Sequence, residues 1–217
     1  MRHRIIIPLL LFAIISLNLT ALAGQSAMSS GTQAYERGDY AGAIREYAKA
    51  GARGQYIAGL FYYNGSGVSR DMEQAAFWFK KAAEQGHPRS CYIIGTMYEG
   101  GKGFRKDNKE AAKWYRIAAV AGNADAATRL GFMYRDGKGI AKDSKEAVKW
   151  FRNAAARGRV EAQFALGMML ENGQGIKRDT AEAAKWFRIA ASHNLPRATE
   201  CGEQQVSCNY AVQYTAR

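Results

Sequence analysis

The stretch GGKGFRKDNKEAAKWYRIAAVAG, residues 100–122, combines a glycine-rich turn, a cluster of bases and a helical tail. Those are the parts of a loop that cradles phosphate at a helix N-terminus. Such a loop is needed once in a chain, with its glycines placed by the ligand. Here Gly101/Gly103 have counterparts at Gly65/Gly67, Gly137/Gly139 and Gly173/Gly175. The bases beside them keep no common pattern: Arg70, then Arg105 and Lys106, then Lys142, then Lys177 and Arg178. The stretch is therefore expected to be a structural turn. Other chemistry is sparse. His87 and His193 sit away from any cysteine or acidic cluster at ligand spacing, and are expected to be surface histidines. No G-x-S-x-G elbow or S-x-x-K tetrad occurs, and NGSGV (Asn64–Val68) is only another turn. Neither catalytic, cofactor-binding nor metal-binding residues are expected.

Positioning comes from a period. Trp78, Trp114, Trp150 and Trp186 are the only tryptophans, each 36 residues from the last. Gly59, Gly95, Gly131 and Gly167 keep the same step, as do Asp71, Asp107, Asp143 and Asp179. In each unit, helical spacing such as Leu130, Met133 and Tyr134 predicts a first helix that stops at the glycine pair. The aspartate, with Glu or Gln three residues on (Gln74, Glu110, Glu146, Glu182), predicts a capping box that starts a second helix. That helix carries an alanine-rich face around Trp78-Phe79, Trp114-Tyr115, Trp150-Phe151 and Trp186-Phe187. The glycine of the first helix should admit these rings closely. Gly86, Gly122 and Gly158 end the second helix, with Asn194 in that place in the last copy.

The N-terminus, MRHRIIIPLLLFAIISLNLTALAGQ, has a basic start at Arg2 and Arg4, an apolar core from Ile5 to Leu19 and a small-x-small site at Ala21-Leu22-Ala23. These predict a secretory signal over residues 1–23, cut after Ala23, and a periplasmic or secreted protein. A membrane association would require the signal to stay uncut. Removal of residues 1–23 lowers the net charge from +12 to +10, because two arginines and no acids are lost. Such a chain favours acidic partners, and export argues against nucleic acid. An oxidising compartment permits a disulfide. Cys201 and Cys208 would lie about 10 Å apart on a straight helix, so a bridge requires the helix to end within CGEQQVSC. Cys91 is the odd thiol, expected within a helix.

The repeated pattern small-x-x-x-[LI]-G-x-[MF]-Y-x-x-G-x-G, then D-x-x-x-A-x-x-W-[FY]-x-x-A-A-x-x-G, resembles the Sel-one-like repeat, a relative of the tetratricopeptide repeat. It covers residues 54–198 as four units, about 54–90, 91–126, 127–162 and 163–198. Residues 24–53 resemble a tetratricopeptide unit: Ala43, Tyr47, Ala50 and Gly54 match Ala75, Phe79, Ala82 and Gly86 at an offset of 32. Residues 199–217 are expected to be a C-terminal cap and tail, with Glu203 where the helix glycine would stand. The resemblance implies an all-α solenoid of antiparallel helix pairs wound as a right-handed superhelix, and a non-catalytic, monomeric scaffold that holds other proteins. A cysteine-rich branch of the family binds and slowly hydrolyses β-lactams, but carries a cysteine pair in each repeat. Three of the four units here have none, and the remaining one has only Cys91.

In a solenoid the first helices line the concave surface. One face of them varies from unit to unit: Tyr56, Leu60 and Tyr63; Tyr92, Thr96 and Glu99; Thr128, Phe132 and Arg135; Phe164, Met168 and Glu171. Aromatic and methionine side chains among both charges suit an extended peptide or a partner helix, and equally suit packing between adjacent units, the reading that Tyr92 and Phe164 favour. The second helices offer a basic stripe instead, through Lys113, Lys149 and Lys185 and through Lys80, Arg116, Arg152 and Arg188. Glu110, Glu146 and Glu182 lie a turn earlier and partly neutralise it. The stripe is expected to be a solvated face, with an envelope glycan as its alternative ligand.

Overall fold

The computed structural model describes residues 6–193, with side chains from residue 21 onward. The described residues form ten helices: α1 (Ile6–Glu36), α2 (Tyr40–Lys49), α3 (Gly51–Asn64), α4 (Met72–Glu84), α5 (Pro88–Gly100), α6 (Asn108–Val120), α7 (Ala124–Asp136), α8 (Ser144–Ala155), α9 (Val160–Asn172) and α10 (Thr180–Ala191). They fall into two compact units divided after Lys106, α1–α5 and α6–α10. Within each unit, consecutive helices pack on one another. The C-terminal cap, Asn194, Cys201 and Cys208 lie outside the described residues.

The first helices begin about three residues before the boundaries expected at 54, 91, 127 and 163. For α5 and α7 the N-cap sets the start. His87 and Asn123 accept hydrogen bonds from the backbone N–H groups of Ser90 and Ala126, which fixes where α5 and α7 start. At the other end, Gly65, Gly101, Gly137 and Gly173 take left-handed backbone with φ of 66–73°. The N–H groups of Gly137 and Lys138 both return to the Met133 carbonyl, closing the helix end.

The second helices start on Asp71, Asp107, Asp143 and Asp179, whose carboxylates accept from the N–H of the residue three ahead. The expected capping box forms by half. The Asp71, Asp143 and Asp179 N–H groups donate to the Tyr62, Tyr134 and Leu170 carbonyls of the first helix, not to the glutamate side chain. Glu110 and Glu146 turn outward to Lys113 and Lys149, and Glu182 to Arg152 and the Trp186 indole. The aspartate thus caps one helix with its side chain and clasps the other with its backbone.

Within the units, the core of a helix pair is a ring on a glycine. A Cβ added at Gly59 would stand 2.7 Å from the Phe79 ring, at Gly131 2.6 Å from Phe151, and at Gly167 2.5 Å from Phe187. Those three phenylalanines are at most 2% exposed. Burying each contributes about 1.5–3 kcal/mol. The same contact extends to the first pair, where Gly31 of α1 meets the Tyr47 ring of α2 at 2.7 Å. Helix α1 runs through the expected cut after Ala23 without a break, but Ala27 is its first buried residue beyond the cut.

The second glycine of each turn has a different neighbour. A Cβ at Gly67, Gly103, Gly139 or Gly175 would overlap Tyr40, Met72, Asn108 or Ser144. Each of those is the first residue of the preceding second helix, α2, α4, α6 or α8. Successive turns are therefore seated one against the next within each unit.

Candidate functional site

The side chains most suggestive of chemistry are committed to the fold. His87, expected at the surface, is half-buried with its ring 4.6 Å from that of Tyr56. Its Nδ1 accepts from the Ser90 N–H and lies 3.0 Å from the Ser90 hydroxyl. Burial first, then the Arg89 and Arg53 charges, hold it below the ordinary histidine range, so the neutral acceptor is favoured. A Ser–His pair of this kind could activate a nucleophile, but Ser90 is fully buried. The Cys91 thiol is buried, donates to the Ala83 carbonyl and is pushed above its ordinary pKa by burial. Among the described residues, no cluster of three metal-ligating side chains forms.

The turn at 100–107 holds no open helix terminus for phosphate. Asp107 accepts the N–H groups of Glu110 and Lys109, and these bonds lower its pKa. On the stripe, Lys113 and Lys149 pair with Glu110 and Glu146, whose hydrogen bonds raise the lysine pKa values.

The variable face of the first helices is half-buried, and its parts are braced from below. In the first unit, Tyr56 and Tyr63 rest on Phe79 with centroids 5.9 and 6.0 Å away. Leu60, Tyr92, Thr96 and Glu99 are half-buried on α3 and α5. In the second unit, Phe132 meets Phe151 edge-on at 5.0 Å and Phe164 meets Phe187 at 5.4 Å. Arg135 lies 4.8 Å over Phe132 while pairing with Asp136. Met168 and Glu171 are half-buried on α9, which touches α7. Thr128 departs from the expectation: it is 8% exposed and its hydroxyl bonds the Ala124 carbonyl. Its short side chain sits beneath the surface that Phe132 and Phe164 reach. The Thr96 hydroxyl is spent likewise on the Ile93 carbonyl.

Sequence reasoning missed the outer apolar residues. Phe77, Ile117, Val120 and Ile189 are exposed on second helices. Phe77 occupies the place of Lys113, Lys149 and Lys185, a substitution visible once the repeats are aligned. Lys81 then lies over the rings of Phe77 and Trp78. Among the described residues, no helix is long and apolar enough to cross a membrane.

The Sel1 repeat family model matches residues 52–87, 88–123, 124–158 and 160–195. Among solved structures, a Sel1 repeat protein from Oxalobacter formigenes is 32% identical, with a TM-score of 0.72, over 79% of this chain and 74% of that one. A protective antigen of uropathogenic Escherichia coli strains, described as displaying an SLR fold, is 29% identical with a TM-score of 0.74. That match covers 81% of this chain but spans only 39% of the antigen's chain. No curated protein matches. With helix pairs stacking in the order of those solenoids, and with matched repeats over most of its length, the chain belongs to the Sel1 repeat family, whose members generally serve as protein-interaction scaffolds.

Proposed function

We propose that this chain is an exported adaptor that binds a peptide or protein segment along the variable face of its first helices. One observation carries the reading: Phe132 and Phe164 are half-buried, partly open to solvent, while their other sides rest on the buried rings of Phe151 and Phe187. Rings fixed in this way present apolar area with little conformational freedom left to lose on binding. Met168 beside them adapts to the partner's shape. The chain's positive charge favours an acidic partner. Export rests on the signal-like N-terminus and on α1, where residues 21–23 are exposed and the first buried residue after them is Ala27.

A photo-reactive amino acid placed at Met168 tests the surface against one placed at Val120, which is 76% exposed on α6. Adducts with a cellular partner should form from position 168 and not from 120. Adducts from 120 alone, or from both alike, would sink the assignment. N-terminal sequencing of the protein from cell fractions tests export: the chain should start at Gly24 outside the cytoplasm, and a cytoplasmic chain starting at Met1 refutes it.

A further inference from the structure

The ion pairs of the second unit are unevenly placed. Lys113, Lys149, Arg152, Arg135 and Arg159 each hold a carboxylate. Lys109, Lys142, Lys145, Lys177 and Arg178 are exposed and take part in no ion pair among the described residues. All five lie at one edge of the unit, in the turns that follow α7 and α9 or in the first residues of α6 and α8. The acids there are already engaged: Asp107, Asp143 and Asp179 cap helices, and Glu110 and Glu146 hold lysines.

The matching edge of the first unit is indented. In the first unit, a cleft of about 580 Å³ separates two successive turns, walled by Arg70, Asp71 and Glu73 on one side and Gly101, Phe104 and Arg105 on the other. Its floor is set by Gly103 seated against Met72. Gly175 is seated against Ser144 in the same manner in the second unit. The positions of the second unit that match the walls of that cleft in sequence are Lys142, Asp143 and Lys145, and Ile176 and Lys177. A lysine thus replaces the glutamate of the first unit.

We propose that this turn edge of the second unit is a docking track for an extended, acidic polypeptide segment, whose carboxylates enter between successive turns. Stacked helix pairs place turns about 10 Å apart. An extended chain in the polyproline II form advances about 3.1 Å per residue with three residues per turn, so a carboxylate at every third position faces the same side and keeps step with the turns. The half-buried Ile140 and Ile176 leave no prominent apolar side chain to enter a bilayer, which favours a polypeptide over an anionic lipid surface. The track is separate from the first-helix face, so either can fail alone.

The test uses the full chain, a fluorescent glutamate-rich peptide of about a dozen residues, and vesicles containing phosphatidylglycerol. The edge variant is Lys142→Gln/Lys145→Gln/Lys177→Gln/Arg178→Gln. The control is Lys113→Gln/Lys149→Gln/Lys185→Gln/Arg188→Gln, which removes the same charge from the second helices' outer face; both must keep the helical circular dichroism. The peptide should bind the unaltered chain, weaken steeply with salt, lose about tenfold in affinity to the edge variant and lose about twofold or less to the control. Equal losses would reduce the effect to overall charge and overturn the track. Vesicle binding without peptide binding would overturn it in favour of a membrane, and binding to neither probe would remove it altogether.

Discussion

At the scale of single residues, the glycine opposite an aromatic ring is tightly constrained. Gly131 has no room for a Cβ because the Phe151 ring fills the space, and Phe151 is fully buried and cannot withdraw. Gly131→Ala should cost about 1–3 kcal/mol, read as a lowered urea midpoint with little change in helical signal. His87 predicts a pH effect of a definite sign. Its folded-state pKa lies below the ordinary 6.5, so the unfolded chain takes up the proton first as pH falls. Its contribution is intact above the unfolded value and is lost as pH drops from there toward the folded one. The groups facing it sharpen this: Arg89 and Arg53 repel the imidazolium, and the Ser90 N–H loses its acceptor. His87→Asn keeps an acceptor of the kind Asn123 supplies to α7, and should flatten the fall in stability between about pH 7 and 5. An unchanged slope in urea titrations across that range would assign it to other groups.

At the scale of elements, the two glycines of each turn have separate duties. The first ends a helix; the second receives the neighbouring repeat. Gly175→Ala would force a side chain both into left-handed backbone, at φ 69°, and into Ser144 of the preceding hairpin. The expected outcome is a loss of cooperativity, with α9–α10 melting ahead of the rest and the denaturant slope reduced, as measured by urea unfolding followed through Trp186. The helices, their order and the ring-on-glycine contact were legible in the sequence, because a period of 36 residues shows which positions are interchangeable. The starts of α5 and α7 were not legible, because His87 and Asn123 cap by different chemistry, which hides the shared role. The half-formed capping box was not legible either. Whether Glu146 folds back or reaches Lys149 depends on what already holds the Asp143 N–H, and that is the Tyr134 carbonyl. On the candidate surface, residue type named Phe132, Phe164 and Thr128 alike, and only the structure shows Thr128 buried with its hydroxyl on the Ala124 carbonyl. The turn-edge bases looked patternless as a sequence. Lys109, Lys142, Lys145, Lys177 and Arg178 share the absence of an ion pair among the described residues, which only the arrangement in space reveals.

At the scale of the molecule, each repeat meets its neighbours through the same few contacts. Deleting residues 124–159 removes one whole repeat and brings Asn123 in front of Val160, where Arg159 offers α9 no side-chain cap. The shortened chain should fold as a helical protein, with a denaturant slope lower by about a fifth, in proportion to the surface removed. A deletion one residue longer or shorter should fail, since it turns the first helix away from its ring by about 100°.

The seating of each turn glycine on the helix before it has a historical consequence as well. The joint is made of a side-chain-less residue against the first residue of a helix whose identity differs every time: Tyr40, Met72, Asn108, Ser144. A duplicated segment of one period would therefore arrive with a working joint at both ends, whatever its surface carries. Such a chain can lengthen by copying, and each copy can then drift toward a different ligand without renegotiating its bond to the next.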